Sequence, residues 1–175
     1  MKNGVNHLLS LNNKLLTIAK LTNKEIELEK QVVLIKPMIE DLIAKYSISD
    51  SKRVEFVTHI VTEAVYADAE YLKEAVANLI DNAAKYSGES VKIEIVSDEA
   101  GGFDRIRVKD NGFGISLKDQ TKIFEKFERG AVAQHSSKGG PTGFGLGLNY
   151  VQRVVAAHCG TVVVDSIKGQ YSEFT

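Results

Sequence analysis

The sequence contains a single cysteine, Cys159, among its 175 residues. One thiol excludes an internal disulfide framework and a cysteine-based zinc site, and it suits a reducing compartment, so we expect a cytoplasmic location. The sequence also lacks a run of about 18 apolar residues that could cross a membrane, and its N-terminus does not have the layout of a signal peptide. We therefore expect this stretch to be soluble.

An excess of charge of one sign is also missing. The chain has 22 Lys and Arg residues against 23 Asp and Glu residues, and its formal net charge is -1. Because no basic cluster stands out, the composition argues against a nucleic-acid platform and against binding to an anionic membrane. Hydrophobic residues make up 43% and charged residues 26% of the chain. This balance predicts a packed core in one domain of ordinary size, with room for an appendage.

The stretch EAVANLIDNAAKY, residues 74–86, predicts a helix that begins behind an N-cap at Asp68. Apolar residues at helical spacing predict its buried face: Leu72, Ala75, Val76, Leu79, Ile80 and Ala83. A second, polar stripe consists of Glu74, Asn78, Asp81, Asn82 and Lys85. Asparagine is a poor helix former, so two aligned asparagines need a reason. Amide oxygens beside a carboxylate and a lysine suit a magnesium–phosphate cluster; the alternative is a plain solvated face.

The other elements mix helices with strands joined by hairpins. The patterns predict strands over 25–35, 52–60, 63–66, 91–96, 103–108 and 161–164, and helices over 36–46, 146–158 and part of 118–128. Residues 98–104 predict a hairpin turn and residues 130–143 a loop. This order lacks the regular alternation of a doubly wound sheet. We expect an α+β fold, with a mixed and mostly antiparallel sheet and helices on one face.

Residues 5–21, VNHLLSLNNKLLTIAKL, predict a further helix at the N-terminus. Its apolar face is broader than a single globular neighbour usually needs, which indicates a helix-bundle or coiled-coil seam with a partner helix. The alternative is that this helix folds back onto the domain. At the other end, the chain stops at Thr175 as if inside one more strand.

The stretch DNGFGI, from Asp110 to Ile115, follows a predicted strand. Asp-Asn-Gly is a common turn sequence, so a simple turn is one interpretation. The second glycine favours another, because Gly112 and Gly114 would let the backbone approach a flat ligand closely. Asp110 could then accept a hydrogen bond from an exocyclic amine and select adenine over guanine.

The stretch GFGLGL, from Gly143 to Leu148, opens a predicted helix. Repeated glycine at a helix start exposes backbone N–H groups to an anion such as phosphate. The spacing matches neither a Walker A loop nor the dinucleotide fingerprint. A flexible hinge beside a helix is the alternative.

Together these stretches resemble the ATP-binding catalytic domain of bacterial sensor histidine kinases, in the GHKL superfamily with gyrase, Hsp90 and MutL. Residues 78–86 (NLIDNAAKY) resemble the N box, 110–114 (DNGFG) the G1 box, 124–129 (FEKFER) the F box and 143–148 (GFGLGL) the G2 box. The resemblance covers about residues 8 to 175. It implies a two-layer α/β sandwich of the Bergerat type over 24–175, with its last strand truncated. Residues 1–23 would be the C-terminal helix of the dimerisation hairpin.

The resemblance also implies roles for individual residues. Asn82 would bind Mg²⁺ directly, Asn78 would support the ion, and Lys85 would reach the phosphates. The adenine pocket would be formed by Tyr86, Asp110, Gly112, Gly114 and Ile115. Arg129 would lie near the γ-phosphate, and residues 116–142 would form a mobile lid. The remaining nucleotide contacts would come from Phe124, Gly143, Gly145, Leu146, Gly147 and Leu148. Phe124 also fits a core position, and Tyr86 a helix end.

The chain departs from the family pattern in three places, of which the one at Asn78 is chemically informative. Hydrolysing relatives have a glutamate one turn before the metal asparagine, where this chain has Asn78, and an amide is not a base. Phe144 replaces a common threonine. The phosphoacceptor histidine, which an acidic residue follows, matches none of the four histidines, His7, His59, His135 and His158. We therefore expect a fragment that binds ATP and Mg²⁺ but does not phosphorylate itself alone.

The implied function is that of a protein histidine kinase, which transfers the γ-phosphoryl group of ATP to a histidine for relay to a response regulator aspartate. The implied partners are the dimerisation domain, the regulator and, in the full protein, a second subunit; the parent would be an inner-membrane sensor. The alternatives are a GHKL ATPase, a non-enzymatic nucleotide-binding or partner-binding module, and a Ser/Thr kinase of the same superfamily.

Overall fold

The computed structural model describes residues 26–46, 52–125 and 145–175. Within these ranges the chain forms seven strands and four helices. The strands are β1 (Lys30–Leu34), β2 (Arg53–Ile60), β3 (Ala64–Asp68), β4 (Ser90–Ala100), β5 (Phe103–Asp110), β6 (Val164–Ile167) and β7 (Tyr171–Phe174). The helices are α1 (Ile35–Tyr46), α2 (Ala69–Lys85), α3 (Leu117–Gln120) and α4 (Gly147–Ala157).

The strands form two sheets. A five-stranded sheet has the order β2-β4-β5-β7-β6, and β1 pairs with β3 in a separate two-stranded sheet. Only the β2–β4 pair is parallel; every other strand pair among the described residues is antiparallel. The prediction of a mixed, mostly antiparallel α+β fold is therefore confirmed.

One apolar core lies between the helices and one face of the larger sheet. Alternate residues of β4 point into it, and Val91, Ile93 and Ile95 are at most 3% exposed. The predicted buried stripe of α2 also reaches this core, where Ile80 is 0% exposed. Leu72 lies at the edge of the stripe and is only partly buried.

The opposite face of the larger sheet is polar. Asp98 on β4 forms ion pairs with Arg105 and Arg107 on β5, at 2.8 Å each. Glu173 on β7 approaches Arg107 at 3.8 Å and Lys109 at 3.1 Å. Opposite charges on neighbouring strands keep this face exposed to solvent and favour its register. The helices that the structure describes cover the other side.

Several predicted strand boundaries are wrong. Strand β4 runs to Ala100, past the predicted end at 96, so the turn predicted over 98–104 is confined to two glycines, and β3 runs to Asp68 rather than 66. The strand predicted over 25–35 is shorter, because residues 26–29 are irregular and Ile35 begins α1 as a fully buried residue. The strand predicted over 161–164 begins only at Val164, although Val163 and Thr175 exchange two backbone hydrogen bonds beside it. In both places β-branched residues lie next to the strand without belonging to it.

Other predicted segments fall partly or wholly outside the described residues. Of the helical segment predicted within 118–128, the structure describes α3 and turns as far as residue 125. The N-terminal helix over 5–21 and the loop over 130–143 lie outside the described residues. No helix in the described part of the chain is long and apolar enough to cross a membrane.

Candidate nucleotide site

Helix α2 carries the candidate site and is anchored at its N-terminus by Asp68. The carboxylate of Asp68 accepts hydrogen bonds from the backbone N–H groups of Glu70 and Tyr71, at 3.1 Å each. It accepts a third from Glu29, at 2.9 Å. These hydrogen bonds hold the pKa of Asp68 below its usual value although burial opposes them. The predicted N-cap is confirmed, and it fixes where the polar stripe of α2 begins.

The polar stripe of α2 divides between two neighbours. On the α1 side, Asp81 accepts a hydrogen bond from the Tyr46 hydroxyl group. Lys85 lies 3.2 Å from the other carboxylate oxygen of Asp81. The ammonium group of Lys85 is therefore held by its own helix, so it would have to leave Asp81 to reach a phosphate group.

On the α4 side, Asn78 lies against Gly147. The Asn78 Nδ2 atom donates to the backbone oxygen of Glu74 at 2.9 Å, which leaves Oδ1 directed to the neighbouring helix. A Cβ atom at Gly147 would lie 2.9 Å from that Oδ1 atom. The absence of a side chain at Gly147 therefore lets the start of α4 approach the amide oxygen of Asn78.

A second contact joins the same two helices. The Tyr150 hydroxyl group donates to a Glu74 carboxylate oxygen at 2.5 Å, and Tyr150 is 1% exposed. Burial is the main cause that raises the pKa of Tyr150, and the Glu74 carboxylate adds to it. Tyr150 thus stays protonated, and its hydrogen bond holds the side chain of Glu74, the first polar residue of the stripe, in place.

Asp110 ends strand β5 beside the C-terminal end of α2. It is 6% exposed, and its Oδ1 atom accepts the backbone N–H of Gly112 at 2.8 Å. Burial raises the pKa of Asp110 to about 6, against the opposing effect of the Gly112 hydrogen bond. Among the described residues Gly112 supplies the one hydrogen bond to this carboxylate. A buried carboxylate that can accept a further hydrogen bond can select a ligand that donates one.

Two glycines shape the turn after Asp110. A Cβ atom at Gly112 would lie 2.5 Å from the Tyr86 carbonyl oxygen, which also accepts the backbone N–H of Phe113 at 2.9 Å. Gly114 has a φ angle of +61°, and a Cβ atom there would lie 2.1 Å from the Ile167 carbonyl oxygen. Backbone therefore approaches backbone at both positions, which no other residue type allows without a shift.

The residues after this turn are tied to the rest of the sheet. Ile115 donates its backbone N–H to Ser166 Oγ at 2.7 Å. The Phe124 ring packs edge-on against the Phe174 ring, with 6.4 Å between the centroids. Phe124 therefore contributes to the core, as the alternative interpretation of that residue expects. Asn149 of α4 donates to the Phe124 carbonyl oxygen at 2.8 Å.

The start of α4 has features of an open helix terminus. Gly145 has a φ angle of +67°, Leu146 is the N-cap and is 7% exposed, and Leu148 is partly buried. No side chain caps this end of the helix among the described residues. Backbone N–H groups of the first turn are therefore available to an outside acceptor. Arg129, Gly143 and Phe144 lie outside the described residues.

The structure brings together two groups of the predicted residues. Asp110 and Gly112 lie at the Tyr86 end of α2, and Asn78 meets Gly147, whereas Gly114 lies against Ile167. Tyr86 is also the C-cap of α2, as the alternative interpretation of that residue expects. Asn82 is partly buried one turn after Asn78. The assignment of each residue to a ligand atom stays a prediction.

The donor set suits Mg²⁺ only in combination with a ligand that brings its own oxygens. The described residues contain no group of three or more His, Cys, Asp or Glu side chains that could hold a metal ion alone. Two neutral amide oxygens, from Asn78 and Asn82, are hard ligands but leave most positions of an octahedral ion unfilled. Magnesium carried by phosphate groups fits this arrangement.

Sequence reasoning missed Lys52 and Asn149. Lys52 precedes β2 and donates to Ser87 Oγ at 2.7 Å, across 35 residues of sequence. No local pattern indicates such a pair, because the contact depends on where β2 enters the sheet.

A mixed sheet covered by described helices on one face defines the class as a two-layer α/β sandwich. The chain belongs to the family described as "Histidine kinase-, DNA gyrase B-, and HSP90-like ATPase", whose model matches residues 67–175. The predicted family resemblance is thus confirmed.

Curated relatives agree with this assignment. The chain is 32% identical over 167 residues to the sensor protein kinase WalK of Staphylococcus saprophyticus, covering 93% of this chain and 27% of the relative. It is 30% identical over 178 residues to the sensor histidine kinase WalK of Bacillus subtilis, covering 99% of this chain and 29% of the relative. The chain thus spans less than a third of the length of these relatives.

A solved structure shows the same fold. Full-length ShkA, crystallised in complex with AMPPNP, matches with a TM-score of 0.80 and 30% identity. The match covers 96% of this chain and 35% of that one.

Proposed function

We propose that this chain binds Mg·ATP as the catalytic part of a sensor histidine kinase and transfers the γ-phosphoryl group to a histidine side chain of a dimerisation domain. The observation that carries the proposal is the buried Asp110 carboxylate at the end of β5, held beside Tyr86 by the Gly112 N–H at 2.8 Å. The phosphohistidine would then supply a response regulator aspartate.

Asp110 would recognise the base. Its carboxylate has one hydrogen bond from a described residue, so it can accept another from the exocyclic amine of adenine. Guanine presents a carbonyl oxygen at the corresponding position. That oxygen would face the carboxylate as a second acceptor, with no hydrogen bond to donate. Gly112 and Gly114 keep the turn after Asp110 close to the backbone of Tyr86 and Ile167.

The α2–α4 junction would hold the phosphate groups. Asn78 and Asn82 would supply amide oxygens to Mg²⁺, which would neutralise phosphate charge. The N-terminus of α4 offers backbone N–H groups to the phosphate oxygens, and Gly147 keeps it next to Asn78. Lys85 would exchange Asp81 for a phosphate oxygen, since one anionic partner replaces another. Outside the described residues, Arg129 is proposed to approach the γ-phosphate.

The chemical step needs an incoming nucleophile rather than an activated water molecule. A neutral imidazole nitrogen attacks the γ-phosphorus, a P–N bond forms, the bond to the β–γ bridging oxygen breaks, and ADP leaves. Asn78 has no basic group with which to deprotonate water, so steady-state hydrolysis should stay low. Positioning and charge neutralisation then supply the catalysis.

The domain organisation belongs to the same proposal. Residues 24–175 would be the ATP-binding domain and residues 1–23 part of the dimerisation hairpin. In the whole protein the partners would be the phosphoacceptor domain, a response regulator and a second subunit.

Calorimetric titration with a non-hydrolysable ATP analogue, with and without Mg²⁺, tests the binding step. Wild-type protein should bind more tightly with Mg²⁺. Asp110→Asn should weaken binding about ten- to a hundredfold, because a hydrogen bond to a charged group is lost. The matched control is Asp104→Asn, which makes the same change at an exposed position of β5 and should bind like wild type.

The transfer step is tested by adding a separate polypeptide that carries the histidine-bearing hairpin, together with labelled ATP. Acid-labile label on that polypeptide is the expected result. Rapid hydrolysis without any acceptor would instead favour an ATPase, and binding that ignores both Mg²⁺ and Asp110 would favour a non-enzymatic module.

A further inference from the structure

Lys52 is a cation that none of the proposed nucleotide roles uses. It is partly buried, it stands immediately before β2, and its ammonium group points at the C-terminal end of α2. The Nζ atom donates to the Ala84 carbonyl oxygen, to the Ser87 carbonyl oxygen at 3.0 Å and to Ser87 Oγ at 2.7 Å. All three ammonium protons thus have acceptors.

These acceptors lie in the last turn of α2 and just after its C-cap, beside the Asp110 turn. The last carbonyl groups of a helix lack partners within the helix and carry the negative end of its dipole, so a cation there is favourable. Lys85, the basic residue in the last turn of α2, is paired with Asp81 instead. Lys52, brought in by a distant strand, takes that place.

The contacts continue from Lys52 to Asp110. Ser87 is 7% exposed, and its hydroxyl group donates to the Ala83 carbonyl oxygen at 2.9 Å. Between Ala84 and Ser87 lies Tyr86, whose carbonyl oxygen accepts the Phe113 N–H at 2.9 Å and limits Gly112 to a residue without a side chain. Gly112 in turn donates to Asp110 at 2.8 Å.

We infer that Lys52 is a positioning residue for base recognition, acting on Asp110 through Ser87, the Tyr86 carbonyl group and Gly112. This inference rests on the proposed function. Burial lowers the pKa of Lys52, which agrees with an ammonium group enclosed by protein acceptors rather than by water. Lys52 itself touches no proposed ligand atom.

The test is a double-mutant cycle on the whole chain, read out as affinity for a non-hydrolysable ATP analogue with Mg²⁺. Lys52→Met should weaken binding about tenfold, and Lys52→Arg, which keeps the cation, should stay within about threefold of wild type. In the Asp110→Asn background, Lys52→Met should cost much less, because its effect passes through Asp110. A lysine that only stabilises the fold would give additive effects.

Two further variants serve as a control and as a second test. Lys73→Met removes another lysine-based contact of α2, the 2.9 Å pair with Asp41, and should leave the affinity unchanged. Ser87→Ala removes one acceptor and keeps Lys52, so it should weaken binding by a smaller factor and show the same coupling to Asp110. If urea titration shows that Lys52→Met does not fold, Ser87→Ala tests the same inference in its place.

The outcomes separate this inference from the proposed function. If the wild-type chain binds but Lys52→Met and Asp110→Asn have additive effects, the proposed role of Lys52 is overturned. Equal losses of affinity for Lys52→Met and Lys73→Met would also overturn it. Neither result would affect the proposed function. Absence of binding by the wild-type chain would overturn the proposed function and, with it, this inference.

Discussion

The two glycine stretches of this chain both place glycine at alternate positions, but the structural reasons for those glycines differ. At Gly114 a side chain would meet the Ile167 carbonyl group, and at Gly112 the Tyr86 carbonyl group. At Gly147 it would meet the end of the Asn78 side chain. Backbone cannot move without moving its strand or helix, whereas an amide can rotate. Gly112 and Gly114 are therefore requirements of the fold, and Gly147 is a requirement of the proposed site.

The largest effect should come from Gly114→Ala. A Cβ atom would lie 2.1 Å from the Ile167 carbonyl oxygen, and the φ angle of +61° is unfavourable for alanine. We expect the free energy of unfolding to fall by about 3 kcal/mol or more, from strain and overpacking together. Urea denaturation measures it.

Gly101→Ala is the matched control for that substitution. Gly101 has nearly the same φ angle, +62°, but a Cβ atom added there would have no other atom within 4 Å. It should cost only about 1 kcal/mol, the conformational part of the loss. Equal losses at both positions would mean that the contact with Ile167 does not matter.

A medium effect should come from pH, through Asp110. The folded protein has an Asp110 pKa of about 6, while an unfolded chain has about 3.9. Between these values the folded state holds the proton more tightly, so the free energy of unfolding should decrease as pH rises from about 4 to about 6, by about 2–3 kcal/mol. Nucleotide affinity should change in the opposite direction, because the adenine amine donates to the ionised carboxylate.

Urea denaturation and calorimetry across this pH range, on wild type and on Asp110→Asn, measure both trends. The substituted chain should lack the Asp110 contribution to each slope. Identical pH slopes for the two proteins would contradict the buried, protonatable carboxylate and leave only the glycine contacts to define the pocket.

The smallest effect on stability should come from Gly147→Ala. The new methyl group displaces the Asn78 amide, but alanine also favours the helix, so the free energy of unfolding should change by less than about 0.5 kcal/mol. The gain in nucleotide affinity that Mg²⁺ provides should nevertheless fall. Titrations with and without Mg²⁺ measure that gain.

The Asn78→Ala background checks the reason for this effect. With the amide already removed, Gly147→Ala should no longer alter the response to Mg²⁺. A loss of the same size in both backgrounds would show that Gly147 acts through the backbone, as Gly112 and Gly114 do, and the contrast between the two stretches would disappear.

Local pattern predicted much of the fold. The Asp68 cap, the buried stripe of α2 and the hairpin at Gly101 depend on residues a few positions apart, and each is found where expected. Strand ends were harder, because Ile35 and Val163 have the composition of strand residues but are positioned by neighbouring elements.

Long-range contacts were not predictable in this way. The Glu74–Tyr150 hydrogen bond spans 76 residues, and the contacts of Lys52 with Ser87 span 35. Sequence spacing carries no information about such pairs, since they follow from the packing of whole elements. The asparagines of α2 could be selected as site candidates because they are unfavourable in a helix, whereas a lysine before a strand is ordinary.

The parallel pairing of β2 with β4 has a consequence for how the molecule assembles. Parallel neighbours cannot be joined by a tight turn, and here the connection runs through β3 and α2 before Ser90 can pair with Arg53. The chain must close this long connection before the pair gains its hydrogen bonds, which slows folding. Since α2 is part of this crossover, it reaches its final place only as β2 and β4 pair. A substitution in β2 can therefore change how fast a binding-competent site forms without touching the ligand.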